Sequence, residues 1–118
     1  MEMTYINSKY CLYCEQKVKC NGMVTTDSKV RLPFATKAEA KAALKTSLKL
    51  TKDFIKGDSE FLEYLFDDDY SIINYKITKD ENNKNESVEF KAWYEDSLGQ
   101  RYITNFKANI EINPLYRR

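Results

Sequence analysis

The stretch Arg101–Ile112, RYITNFKANIEI, alternates more cleanly than any other part of the chain. Tyr102, Thr104, Phe106, Ala108, Ile110 and Ile112 share one parity, and Ile103, Asn105, Lys107, Asn109 and Glu111 the other. That is the period-two pattern of a strand with one face in a core and one in water. The rest of the chain must supply this strand with strand partners and with a cover for its apolar face.

Immediately upstream, SVEFKAWYE sets Val88, Phe90, Ala92 and Tyr94 opposite Glu89, Lys91 and Trp93, and DSLGQ between the two strands reads as a short hairpin loop. YSIINYKITK alternates Ile73, Tyr75 and Ile77 on one face and is followed by the polar loop ENNKNE. At the other end of the chain, YCLYCEQKVKC places Leu12, Cys14, Gln16, Val18 and Cys20 on the inward parity. Asn21-Gly22 is a favoured two-residue hairpin turn, because both positions tolerate positive φ. MVTTDSKVRLPF returns from it with Val24, Val30 and Leu32 on one parity, and Pro33 either ends this strand or marks it as an edge.

The cover is TKAEAKAALKTSLKLTKDFIKGD, residues 36–58. Thr36 and Glu39 form a capping-box signal, and Gly57 suits a left-handed C-terminal position. Ala40, Ala43, Leu44, Ser47, Leu48, Leu50, Thr51, Phe54 and Ile55 lie on one helical arc. Asp58 caps a second, shorter helix, SEFLEYLF, with Phe61, Leu62, Leu65 and Phe66 as its buried stripe. The expected fold is therefore α+β, in the order β-β-α-α-β-β-β: an N-terminal hairpin, one long and one short helix, and a three-stranded antiparallel meander. At 118 residues the chain reads as a single domain, 1–118.

Composition limits the chemistry. With no histidine, the commonest general base and the commonest metal ligand are both missing. With only three glycines, no phosphate-cradling loop or nucleophile elbow is present. No catalytic residue and no cofactor is expected. The apolar and charged shares, 42% and 31%, are those of a soluble globular protein, and no apolar run reaches membrane-spanning length. MEMTYINSKYCLYC lacks a signal-peptide core, which points to the cytoplasm. Lysine far outnumbers arginine, and asparagine and tyrosine are plentiful, the residue usage of an A+T-rich genome.

Four groups of residues invite a functional reading. Cys11, Cys14 and Cys20 read either as small hydrophobes in a strand, as part of a zinc site completed by a carboxylate or a partner chain, or as a redox pair. Asp67, Asp68 and Asp69 form an acidic run, read as a solvated loop or as a patch for a basic partner. Tyr13 and Trp93 take outward parities, where a large aromatic marks a contact surface. Lys37, Lys41, Lys45, Lys49, Lys52 and Lys56 occupy an arc beside the helix's apolar stripe; of these Lys41, Lys45, Lys49 and Lys52 are the strongest partner-binding candidates. Charge is also split between the halves of the chain, +6 over residues 1–57 and −5 over 58–118.

FIKGDSEFLEYLFDDDYSI followed by SVEFKAWYEDSLGQRY resembles the nuclear-transport-factor-two-like superfamily over residues 54–112. That resemblance implies strands curled into a cone and a pocket that serves enzymes or binding modules. The acid and histidine bases of its enzymes have no counterparts here. RLPFATKAEAKAAL, residues 31–44, resembles the sheet-to-helix junction in the arm-type DNA-binding domain of phage and transposon integrases, which implies DNA contact.

The expected function is that of a small non-catalytic interaction protein, an accessory or anti-defence inhibitor of a phage or mobile element that occludes a host protein or nucleoprotein surface. One alternative is a nucleic-acid-binding accessory protein using the lysine face of the helix. Another is a cone-fold small-ligand carrier or enzyme. Self-association as a homodimer is a further option, and no membrane partner is expected.

Overall fold

A computed structural model describes residues 8–56, 71–84 and 86–116. They form one five-stranded antiparallel sheet with one helix packed on it. The elements are β1 (Tyr10–Cys20), β2 (Met23–Phe34), α1 (Lys37–Lys56), β3 (Ile72–Asn83), β4 (Ser87–Asp96) and β5 (Arg101–Ile112). Strand order across the sheet is β2-β1-β5-β4-β3.

The expected order β-β-α-α-β-β-β is corrected by this topology, a five-stranded sheet with one helix among the described residues; whether the hairpin joins the meander is left open by the sequence. β1 pairs with β5 along its whole length, from Tyr10↔Ile112 to Cys20↔Tyr102, so hairpin and meander are one sheet. The described residues contain one helix; the short second helix expected within 59–66 lies outside them. The physical reason for the merger is β5 itself, whose alternation leaves a backbone edge on each side. β4 takes one edge and β1 the other.

Local signals account for the element ends. Asn21 (φ 51°) and Gly22 (φ 86°) adopt the left-handed conformations of a two-residue hairpin turn. The Glu39 backbone N–H donates to Thr36 Oγ1 at 3.2 Å, and the Thr36 hydroxyl donates to Glu39 Oε1 at 3.1 Å, closing the helix N-terminus. At the β4–β5 turn the buried Asp96 carboxylate accepts the backbone N–H groups of Leu98 (3.0 Å) and Gln100 (2.9 Å). The Tyr102 hydroxyl is shared between Gln100 Oε1 at 2.7 Å and Asp96 Oδ2 at 3.1 Å.

The core lies between α1 and the middle of the sheet. Leu44, Leu48 and Ile55 meet Leu12, Val88, Phe90, Ala92, Tyr94, Phe106 and Ala108, all buried, and Ala40 is buried as well. Tyr94 stacks on Tyr102 at 4.7 Å and receives the edge of Phe54 at 5.9 Å. A helix about 10 Å wide cannot roof five strands spaced near 4.8 Å apart, nor can a rod of roughly 30 Å span strands of about 40 Å. Hence several inward residues of the edge strands remain open: Val30 and Leu32 on β2, and Tyr75 on β3, are all exposed.

Two inward assignments are corrected by bulges. The β3–β4 register shifts between Ile72 and Asn74, so Ile72 packs on the core while Ile73 is exposed. The β1–β2 register shifts between Val18 and Lys19, which pairs Val24 with outward-facing Lys19 and removes it from the parity of Val30 and Leu32.

Two stability measurements follow from this packing. Phe90, with no exposed surface, sits at the centre of the core; Phe90→Ala is expected to lower unfolding free energy by about 3–5 kcal/mol in denaturant titrations. The Tyr102 phenol is held above its ordinary pKa, first by burial and then by its hydrogen bond to Asp96. A group raised in the folded state stabilises fully below its unfolded value, about 10, and loses that contribution as pH climbs toward the folded value. Tyr102→Phe is therefore expected to cost about 1–2 kcal/mol at neutral pH and to flatten the alkaline limb of the stability profile.

Candidate interaction surface

No described helix or strand packs on the face of the sheet turned away from α1, although Cys11 at one end of it is buried. Its composition follows from strand parity, and its geometry from register. One row across it reads Val24, Lys19, Ile103, Trp93, Lys76, from β2 through β1, β5 and β4 to β3. Val24 is 50% and Ile103 52% exposed, a high value for side chains of this size on a strand face. The Arg101 guanidinium lies over the Trp93 ring, 4.5 Å from its centroid. From Val24 to Trp93 the row spans roughly 15 Å.

A second aromatic, Tyr13, stands toward the opposite end of the same face. Arg31 covers its ring at 4.6 Å and also donates from Nε to Glu111 Oε1 at 2.8 Å. The Tyr13 hydroxyl donates to Glu15 Oε1 at 2.5 Å, and that hydrogen bond is the main reason its pKa stands above the ordinary phenol value. Between the two aromatics lies an open concavity of about 360 Å³, with Glu15, Lys17, Lys29, Glu89, Lys91 and Lys107 in its lining. Lys79 bridges to Glu89 at 3.2 Å, which lowers the Glu89 pKa, and Lys91 approaches the same carboxylate at 3.6 Å. Asn105 stands in this lining, and its buried Oδ1 has no hydrogen-bond partner. The face is thus a mosaic in which carboxylates alternate with cations.

The lysine stripe of α1 is placed differently. Lys37 pairs with Glu86 at 2.6 Å, and Lys41 reaches the same carboxylate at 3.8 Å. Lys52 pairs with Asp80 at 2.7 Å, and Lys49 with Asp53 one turn on at 2.6 Å. The hydrogen bond from Lys37 holds the Glu86 carboxyl below its ordinary range. Among the described residues Lys45 forms no ion pair. Asp67, Asp68 and Asp69 lie outside the described residues. The structure therefore brings Tyr13 and Trp93 onto one open face, and sets Lys41, Lys49 and Lys52 against carboxylates of their own chain.

Ile103, Val24 and Arg101 were not among the residues singled out from sequence. An isoleucine on the polar parity of the most regular strand is a usable signal for Ile103. Val24 carries no such signal, since only the bulge turns it outward.

On the helix side, an open cleft of about 440 Å³ lies between α1 and the β1–β2 hairpin, with Val18, Thr26, Leu50, Phe54 and Tyr102 among its lining residues. Among the described residues no helix is long and apolar enough to cross a membrane, and no three metal-ligating side chains cluster.

The three cysteines are free and do not converge. Cys11 faces outward, its thiol donating to Glu111 Oε1 at 3.7 Å, while Cys14 and Cys20 face the helix side some 20 Å apart along β1. Burial raises the pKa of Cys11 and of Cys14, and Glu111 adds to it at Cys11. Both thiols are expected to resist an aromatic disulfide reagent at neutral pH and to react rapidly once the chain is unfolded, as read by mass spectrometry of the labelled sites. Comparison of the chain with protein-family models, with curated proteins and with solved structures finds no match.

Proposed function

We propose that the protein is a non-catalytic interaction module that docks on the surface of another protein through the uncovered face of its sheet. The observation that carries this reading is the row Val24, Lys19, Ile103 and Trp93, in which exposed Val24 and Ile103 and the half-buried Trp93 set apolar surface on a face otherwise built from charge. Such a row, with a tryptophan at one end and cations around it, has the make-up of an interface centre with a polar rim. The rim decides the partner class. Carboxylates of Glu15, Glu89 and Glu95 stand among the lysines, so a polyphosphate backbone laid on this face would meet anions, whereas a protein surface of mixed charge can match both signs. The nucleic-acid alternative, which rests on the lysines of α1, is weakened by their pairing with Glu86, Asp80 and Asp53. A partner from a host defence system is the finer reading, drawn from the lack of catalytic motifs, the small size, the charge polarity and the A+T-rich residue usage of the sequence.

The test uses the full chain as bait in extract of its native host, treated with nuclease. A protein held by the wild type is expected to bind Ile103→Glu and Trp93→Ala at least about tenfold more weakly, and to bind Lys45→Glu and Lys49→Glu normally. Equal capture by the Ile103 and Trp93 variants would sink the proposal. Capture abolished by nuclease would move the assignment to nucleic acid.

A further inference from the structure

Among the described residues no strand pairs with either edge of the sheet, and the two edges are not alike. β3 is bulged twice, near Ile73 and near Thr78, which spoils it as a template for another strand. β2 keeps unbroken register with β1 from Thr26 to Phe34. Its helix-side residues Val30 and Leu32 are 45% and 41% exposed, beyond the reach of α1. A long, regular edge with apolar side chains next to it is a surface that pairs with another strand.

The geometry points to a second copy of this chain as that strand, with the two β2 edges antiparallel about a two-fold axis at Ser28. The argument is one of charge register. Opposed residues in an antiparallel pair lie on the same face, so the axis of a symmetric pair must pass through a residue position. An axis at Asp27, Lys29 or Arg31 sets a charge against its own copy, and one at Val30 sets Lys29 against Arg31. An axis at Ser28 sets Asp27 against Lys29 of the second copy, twice by symmetry, and Thr26 against Val30 on the helix side. The hydroxyls of the two Ser28 residues meet at the axis, where a larger side chain would crowd its copy. The bulge near Thr25 at one end and Pro33, without an N–H, at the other confine the regular pairing to the middle of β2. Both helices then lie on one side of a continuous sheet, and both outer faces on the other. This pairing does not depend on what the outer face binds.

Within its own chain Asp27 stands opposite Lys17, and Lys29 opposite Glu15. A single reversal at either position therefore harms the chain as well as the proposed dimer, and only mixing separates the two effects. In sedimentation equilibrium the wild type is expected to be a reversible dimer. Asp27→Lys and Lys29→Asp should each weaken it about tenfold. An equimolar mixture of the two variants should recover a heterodimer, seen as the mixed mass in native mass spectrometry, because each reversed residue then faces its opposite charge. Val30→Lys, at an exposed position opposite Cys14, should also weaken the dimer and serves if either reversal fails to fold. A wild type that is monomeric at millimolar concentration, variants whose mixture stays monomeric, or a dimer indifferent to Val30→Lys would overturn the pairing.

Discussion

The pairing of β1 with β5 is the constraint on which the rest of the structure depends. It runs without a break from Tyr10↔Ile112 to Cys20↔Tyr102 and joins segments at opposite ends of the chain. Separately, a two-stranded hairpin is marginal in water and a three-stranded meander offers a narrow floor for a helix. Joined, they bring Leu12 beside Ile110 and place Phe106 and Phe90 in one layer beneath Leu44 and Leu48. The Asn21-Gly22 turn reinforces the seam: Asn21 N–H donates to the Arg101 carbonyl at 2.8 Å, and Arg101 N–H donates to Asn21 Oδ1 at 3.1 Å. Closing so long a loop is entropically costly and kinetically slow. The continuous register and the buried layer are what offset that cost.

The same seam brings opposite charges from the two ends of the chain together. With the hairpin and helix laid over the C-terminal strands, cations of the N-terminal half meet carboxylates that follow them in sequence. Glu86 and Asp80, on the β3–β4 side, receive Lys37, Lys41 and Lys52, and Glu111 on β5 receives Arg31. Each exposed pair contributes little by itself. Together they fix which flank of α1 turns toward β3 and β4, and so leave the apolar flank with Leu50 and Phe54 facing the hairpin.

Much of the fold was legible because strand parity and helix capping are local. The strands, the Asn21-Gly22 turn, the capping box at Thr36–Glu39 and the helix end at Lys56 all follow from residues within a few positions of one another. What was not legible is non-local or depends on backbone irregularity. Nothing in YCLYCEQKVKC says that its second edge meets β5, since any alternating strand can take any other as neighbour. The bulges near Thr25 and Ile73 invert the side of Val24 and Ile73 without leaving a glycine or proline to mark them. Of the contact surface, Tyr13 and Trp93 could be read from outward parity, and Ile103 stood on the same parity. Their union with Val24 in one row is a property of register across four strands. The lysine stripe showed the converse failure, for periodicity revealed the row of charges but not the carboxylates that meet it at Asp80 on β3 and at Glu86 between β3 and β4.

The width of α1 finally explains why this small protein has surface to spare. A single helix roofs the central strands and leaves β2 and β3 each with an uncovered margin, while the other side of the sheet has no roof among the described residues. An uncovered sheet face stays monomer-friendly when it is polar, and most of this one is, with lysine and glutamate alternating around Asn105. Val24, Ile103 and Trp93 depart from that rule, and no packing need among the described residues explains the departure, because the core lies on the opposite side. Apolar side chains held rigidly on central and adjoining strands cost solubility and contribute nothing to this core. On the proposed docking role they are buried by a partner, and the interleaved charges around them would match a surface bearing both signs better than a uniform anion.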